Sequence, residues 1–430
     1  MKIRIIFILF AILLFPGKIY CQKSITLKEC YDLAMKKSSL SGEADAYSSI
    51  SGLNDRNLKN GWLPTIDANA SALYNSDVVD LAKNMSALPA LAKAISPMPH
   101  DQYKITLDIN QVLFDGGTIK KSREIEKIDQ SINRKQTETD MYRLRDQVNI
   151  YFFTILLLER QKEILENFRT LLDKRIRSMQ SAIDNGTLLK ADIDVIESEK
   201  LRTEQQILEN TLRKNSFFKV LSDLTGEKLD SSTVLVAPVG SESPSDGLNR
   251  PELQLFNLKK DKLGAAAELE QTRRMPKAFG FATLGYGKPP GQDFFTNSFG
   301  TYYVLGGGIK WNIFDWNRVK NQKQIISIQQ GIIDNRRKDL EETLTRQLEL
   351  KRSEINSLNA LLETDVRQVE LRKKISASAE SKLSNGVITS TEYLNELNAE
   401  QQAEINSEIH RINLALAKAE YQNISGNDIK

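Results

Sequence analysis

From Thr118 to Asp184 the chain runs 67 residues without a glycine or a proline. Apolar side chains recur through this stretch at Leu144, Val148, Tyr151, Ile155, Leu158, Leu165, Phe168, Leu172, Ile176, Met179 and Ile183, in steps of three, four or seven. That is coiled-coil spacing. A second run of the same length, Arg318 to Ser384, carries Leu340, Leu344, Leu348, Ile355, Leu358, Leu362, Val366 and Val369 in the same rhythm. At about 1.5 Å per residue each run predicts a helix about 100 Å long. Asn-Gly follows both, at Asn185-Gly186 and Asn385-Gly386, where a residue able to take positive φ ends the helix and turns the chain back. The return helices are expected over roughly Lys190 to Leu224 and Thr391 to Ile424, about half as long.

The turn signals belong to an internal repeat. Phe114-Asp115 recurs as Phe314-Asp315, Asn185-Gly186 as Asn385-Gly386, and Thr225-Gly226 as Ser425-Gly426, each at an offset of 200. Upstream, Pro64 matches Pro276 at an offset of 212, so the halves differ by 12 residues between that proline and the Phe-Asp pair. A length change confined to one interval marks a surface loop. The organisation is therefore a first repeat over 23–226, an inter-repeat linker over 227–248 and a second repeat over 249–430. Opening helices are expected at about Ile25 to Lys59 and Pro251 to Arg273, the second entered through Asn249 as cap with Pro251 near its first turn.

Four segments between the helices have period two. In 103–115, Tyr103, Ile105, Leu107, Ile109 and Leu113 alternate with Lys104, Thr106, Asp108 and Asn110. In 302–314, Tyr303, Leu305, Ile309, Trp311 and Ile313 alternate with Gly306, Gly308, Lys310 and Asn312. In 64–74, Ile66, Ala68, Ala70, Ala72 and Tyr74 alternate with Thr65, Asp67, Asn69 and Ser71. The segment 276–287 is amphipathic without an assignable pair of faces. A soluble sheet would need a core against its apolar face, and no remaining sequence supplies one. Lipid is the other partner for such a face, and Trp62, Tyr74, Tyr103, Tyr303 and Trp316 at strand ends fit interfacial girdles. Four strands cannot close a barrel, and open edges do not exist in lipid, so several copies must combine.

Residues 1–22 read as a secretory signal peptide: Lys2 and Arg4, the apolar run Ile5 to Phe15, then Pro16-Gly17. Their removal takes away three basic residues and no acid, leaving 56 of each sign and no basic excess for nucleic acid. Cys21 is a possible acylation site, although Tyr20 stands where such sites take a small residue; if it is removed, Cys30 is left alone and no intramolecular disulfide forms. The two histidines, His100 and His410, have no neighbouring ligands, and no nucleophile elbow, P-loop or metal spacing is visible. The sequence gives no reason to expect an enzyme or a cofactor.

The ordered duplication, the FDGG and FDWN strand exits, the turn motifs NGTLLKADIDVIESE and NGVITSTEYLNEL, the NRPEL start of the second half and the LTG-like ends together resemble the TolC family of outer-membrane efflux and secretion ducts, over essentially the whole mature chain. The resemblance implies an α+β membrane protein: a homotrimer in which each protomer gives four strands to a transmembrane β-barrel and long antiparallel coiled-coil helices to a periplasmic α-barrel. It implies a passive duct in the outer membrane, fed by an inner-membrane RND or ABC-type pump through a periplasmic adaptor (membrane fusion) protein. On the family's pattern the adaptor docks at the turns, here Asn185, Gly186, Leu188 and Leu189, and Asn385, Gly386, Val387 and Ile388. The periplasmic aperture corresponds to Glu392, Asn395 and Asp192. The lipid-facing strand residues are Ile105, Leu107, Ile109, Leu305, Ile309 and Trp311. The family's polar latch positions correspond here to Leu383 and Ile388, whose side chains make no polar link. The rival reading is a periplasmic coiled-coil adaptor or structural envelope protein. Adaptors, however, flank one hairpin with β-rich domains, whereas here two hairpins alternate with strand pairs.

Overall fold

The computed structural model describes residues 23–80, 98–184, 190–238, 247–293 and 296–427. The signal segment with Cys21, residues 81–97 within the interval in which the two halves differ in length, and the first turn with Asn185, Gly186, Leu188 and Leu189 lie outside the described residues. In chain order the elements are β1 (Ser24–Thr26), α1 (Leu27–Lys37), α2 (Glu43–Asn60), β2 (Thr65–Tyr74), β3 (Asp101–Phe114), α3 (Thr118–Tyr142), α4 (Leu144–Asp184), α5 (Lys190–Thr225), β4 (Val234–Val236), α6 (Pro251–Thr272), β5 (Lys277–Lys288), β6 (Gly300–Lys310), α7 (Arg318–Ser384) and α8 (Ser390–Ser425).

The helices differ from the sequence expectation in three places. The first long run is interrupted at Arg143, between α3 and α4, whereas α7 is a single helix of 67 residues despite Gly331. At the interruption Tyr142 is held inward: its hydroxyl donates to the Asn423 carbonyl at 2.9 Å, and the Arg145 and Arg250 guanidinium groups lie 4.4 and 4.5 Å from its ring centre. The opening helix of the first half is likewise two helices. A 3-10 turn at Ser39–Gly42 separates them, and the Ser38 N–H bonds back to the Ala34 carbonyl. Pro251, finally, is the first helical residue, where its missing N–H costs nothing. Asn249 stands one position too early to cap α6, and its N–H donates instead to the Ser425 carbonyl at 2.7 Å.

The chain gathers into two compact units, each drawing on both halves of the sequence. The first, Met1–Ser41, Thr137–Pro251 and Leu340–Lys430, contains α4, α5 and α8 with α1. The linker contributes a strand that the sequence did not disclose: β4 pairs parallel with β1, Leu235 opposite Ile25. Two apolar clusters hold this unit. One joins Ile25, Cys30 and Tyr31 to Val148, Phe152 and Ile155 of α4, Phe218 and Leu221 of α5 and Ile412 of α8. The other joins Phe168, Leu172 and Met179 of α4 to Ile193 and Ile196 of α5, Leu383 of α7 and Tyr393, Leu394 and Leu397 of α8. Along α4, between the two, lies a charged cavity of about 330 Å³, lined in part by Arg160, Glu163, Lys373, Glu404 and Arg411. Cys30 is fully buried in the first cluster, where burial pushes its thiol up to about 12, so it is an inert core residue.

The second unit, Gly42–Gln136 and Glu252–Asp339, contains the four-stranded sheet β2-β3-β5-β6. All its pairings are antiparallel, and β2 and β6 are its edges. Among the described residues no helix is long and apolar enough to cross a membrane.

Candidate functional site

The register sorts the sheet into two faces, because neighbouring strands carry directly opposed residues on the same side. One row runs Ala68, Leu107, Leu284, Tyr303; the next rows run Ile66, Ile109, Ala282, Leu305 and Ala70, Ile105, Tyr286, Thr301. Leu305 is 79% and Ile309 77% exposed. This face is apolar and unburied. The opposite face carries Asp67, Asn69, Ser71, Lys104, Thr106, Asp108 and Thr283. On it the Asp108 carboxylate accepts from the Thr283 hydroxyl at 2.6 Å, the Asn69 amide at 2.8 Å and the Thr106 hydroxyl at 2.9 Å, tying three strands together.

The same register gives β5 its faces. Ala278, Gly280, Ala282, Leu284 and Tyr286 share the apolar side, and Phe279, Phe281 and Thr283 the polar side. A bulge between Val112 and Phe114 breaks the alternation of β3 at Leu113. Trp311 lies one residue past β6, and its indole N–H donates to the Arg274 carbonyl at 3.0 Å. It stands past the end of the strand rather than within it.

Both strand exits use an aspartate and two left-handed residues. Asp115 accepts from the Gly117 and Ile119 N–H groups at 2.8 and 2.6 Å, while Gly116 and Gly117 take φ of 70° and 89°. Asp315 accepts from the Val319 N–H at 3.1 Å and binds the Arg274 guanidinium through both oxygens, at 3.0 and 3.2 Å, while Trp316 and Asn317 take φ of 50° and 61°. In each case the carboxylate satisfies N–H groups that open the following helix.

At the second turn Gly386 takes φ of 70°. Its N–H reaches the Leu383 carbonyl and that of Val387 the Lys382 carbonyl, at 3.0 and 2.9 Å, the paired bonds of a Schellman ending. Asn385 and Val387 are exposed. Ile388 is half-buried and packs against the cluster containing Leu383 and Tyr393. It stands just before the cap of α8, where an apolar residue staples the helix entry. Thr389 is that cap. Its hydroxyl accepts from the Glu392 N–H at 3.2 Å, and the Glu392 carboxylate accepts from the Thr389 N–H and hydroxyl at 2.8 and 3.0 Å.

Those two bonds hold the Glu392 carboxyl below the usual carboxylate range. A depressed carboxyl stabilises the folded state fully above its ordinary pKa and loses that contribution as pH falls through the folded value. Acidification below about pH 4 should therefore fray the first turn of α8. Thr389→Ala should do so at neutral pH, at a typical cost of about 1 kcal/mol. Amide exchange over residues 389–393 that does not respond to either change would show that the cap is unimportant.

Asp192, in the first turn of α5, accepts from the Ser390 hydroxyl at 3.3 Å and is half-buried; Asn395 is exposed. The structure thus brings Asp192 beside the start of α8 and leaves Glu392 engaged in its own cap. Sequence reasoning missed Arg175. Its side chain is 8% exposed, lies 2.7 Å from Glu380 and stands 4.9 Å from the Tyr393 ring centre, linking α4 to α7 and α8. Burial raises the Tyr393 phenol, and the neighbouring Arg175 pulls it the other way. Asp173, Lys174 and Arg177 surround Arg175 in sequence and disguise it as part of a solvated face.

No protein-family profile and no curated protein matches the chain. Solved structures do. CusC, described in terms of folding and transmembrane channel formation, superposes with a TM-score of 0.69 at 12% identity, covering 94% of this chain and 92% of that one. The CmeC outer membrane channel of Campylobacter jejuni gives 0.62 at 14% identity over 93% and 85%. The outer membrane protein VceC of Vibrio cholerae gives 0.65 at 13% identity over 94% and 97%. The chain has the TolC-family channel fold. The second turn is the exposed end of the α7–α8 hairpin.

Proposed function

We propose that the protein is a passive exit duct of the outer membrane, its helices in the periplasm, working as a homotrimer. The observation that carries this reading is the sheet: an apolar, unburied face backed by a polar one, with two free edges. Unpaired edges are not tolerated in hydrocarbon, and pairing β6 of one copy with β2 of the next removes them. Three copies would give twelve strands. Exposed Ile325, Ile328 and Ile332 along α7 and Ile50 and Leu53 on α2 supply apolar surface for the same association.

In this reading Asn385, Gly386 and Val387, with the corresponding turn at Asn185, Gly186, Leu188 and Leu189, meet a periplasmic adaptor, and an inner-membrane RND or ABC-type pump supplies the cargo. Ile388 serves as a staple behind that surface. Asp192 and Glu392, repeated around a threefold axis, form carboxylate rings at the aperture, with Asn395 one turn along; charged rings select ion sign. Native mass measurement in detergent should give three chains, and planar bilayers should show a cation-preferring pore. Asp192→Asn with Glu392→Gln should shift the reversal potential towards zero while trimers persist. A stable, detergent-independent monomer would remove the duct reading, and an unchanged reversal potential would move the aperture elsewhere.

A further inference from the structure

Three aromatic side chains occupy the polar face of the sheet, where neither a core nor lipid calls for them. Phe279 and Phe281 of β5 and Tyr302 of β6 share that side with Asp108 and Thr283. Each reaches across to a glycine on the neighbouring strand. A Cβ built on Gly308 would stand 2.7 Å from the tip of Phe279, one on Gly306 2.6 Å from the tip of Phe281, and one on Gly285 2.3 Å from Tyr302. A ring that fills the Cβ position of the next strand lies along the sheet instead of standing up from it. Its outer side is left open, and Phe279 remains 39% exposed.

The charge at this level is negative. Asp67 and Asp108 stand directly opposite each other in the row between Tyr302 and Phe281. Like charges in that relation destabilise a sheet, and the bonds Asp108 accepts all come from neutral donors. Lys104 lies two rows towards one end of the sheet, and Lys277 and Lys310 form the last row at the other.

The geometry points to Phe279, Phe281 and Tyr302 as a contact ladder for planar organic cations passing along the polar face of the sheet. Rings lying along a wall offer stacking and cation–π attraction to a flat cationic solute, and the carboxylates between them favour its charge. Such contacts are individually weak, as passage requires, since a solute must leave each site as readily as it enters. The inference rests on the reading of this face as the lumen of a duct.

The test uses the full-length protein in planar bilayers with ethidium as the planar monocation, tetraethylammonium as a non-planar cation and naphthalene sulfonate as a planar anion. Ethidium should block the current at lower concentration than either control. Phe279→Leu and Phe281→Leu, which keep apolar volume over the glycines, should each weaken ethidium block by about two- to fivefold and leave the open conductance and tetraethylammonium block unchanged. Phe281→Tyr should retain block. Undiminished ethidium block in both leucine variants, or equal block by naphthalene sulfonate, overturns the ladder while the duct stands. A protein that inserts but never conducts overturns the duct and the ladder together.

Discussion

Leu107→Arg should destabilise membrane assembly by about 2 to 4 kcal/mol, the cost of a charge on the lipid side near the bilayer midplane. Leu107 sits in the middle row of the apolar face, flanked by Ala68 on β2 and Leu284 on β5. Ile309→Arg should cost less, because Ile309 pairs with Ala278 in the row next to Lys277 and Lys310, where an added cation reaches water or headgroups. Ser71→Arg places the same charge on the opposite face and should be close to neutral. Urea titration of protein refolded into vesicles measures all three. If Ser71→Arg proved as costly as Leu107→Arg, the two faces would be wrongly assigned.

The second large effect concerns the two apolar clusters of the helical unit. Leu172→Ala and Phe152→Ala each empty a fully buried site, at typical costs of about 2 to 5 and 3 to 5 kcal/mol. The charged cavity lined by Arg160, Lys373 and Glu404 separates the clusters along α4, so the damage should stay local. Leu172→Ala should speed amide exchange at Ile193, Leu383 and Leu394 while Phe218 and Leu221 remain protected, and Phe152→Ala should do the reverse. Uniform loosening in both variants would mean that the clusters unfold as one.

Much of the architecture is legible in the sequence because it depends on repetition over long distances. α7 begins and ends at the predicted residues, and the faces of β2, and of β3 as far as its bulge, follow the alternation. The structure departs from the reading where a short segment is decided by its partners. Val234–Val236 is too brief to show a period and becomes a strand only beside Ser24–Thr26. β5 resisted assignment because Phe279 and Phe281 place apolar groups on its polar face, where the glycines of β6 accommodate them. Arg175 is invisible in the sequence because its burial depends on Glu380 and Tyr393, more than 200 residues away.

The two strand exits reach one backbone path by different means. Glycines at 116 and 117 adopt the left-handed conformation freely at the expense of a looser unfolded chain. Trp316 and Asn317 adopt it with side chains in place. The two solutions are not interchangeable. A Cβ at position 116 would stand 2.6 Å from the Cβ of Met275, so the second-half sequence cannot be transplanted into the first, whereas glycines in place of Trp316 and Asn317 meet no such obstacle. Of two bends with the same handedness, the crowding around each decides which can still change its letters.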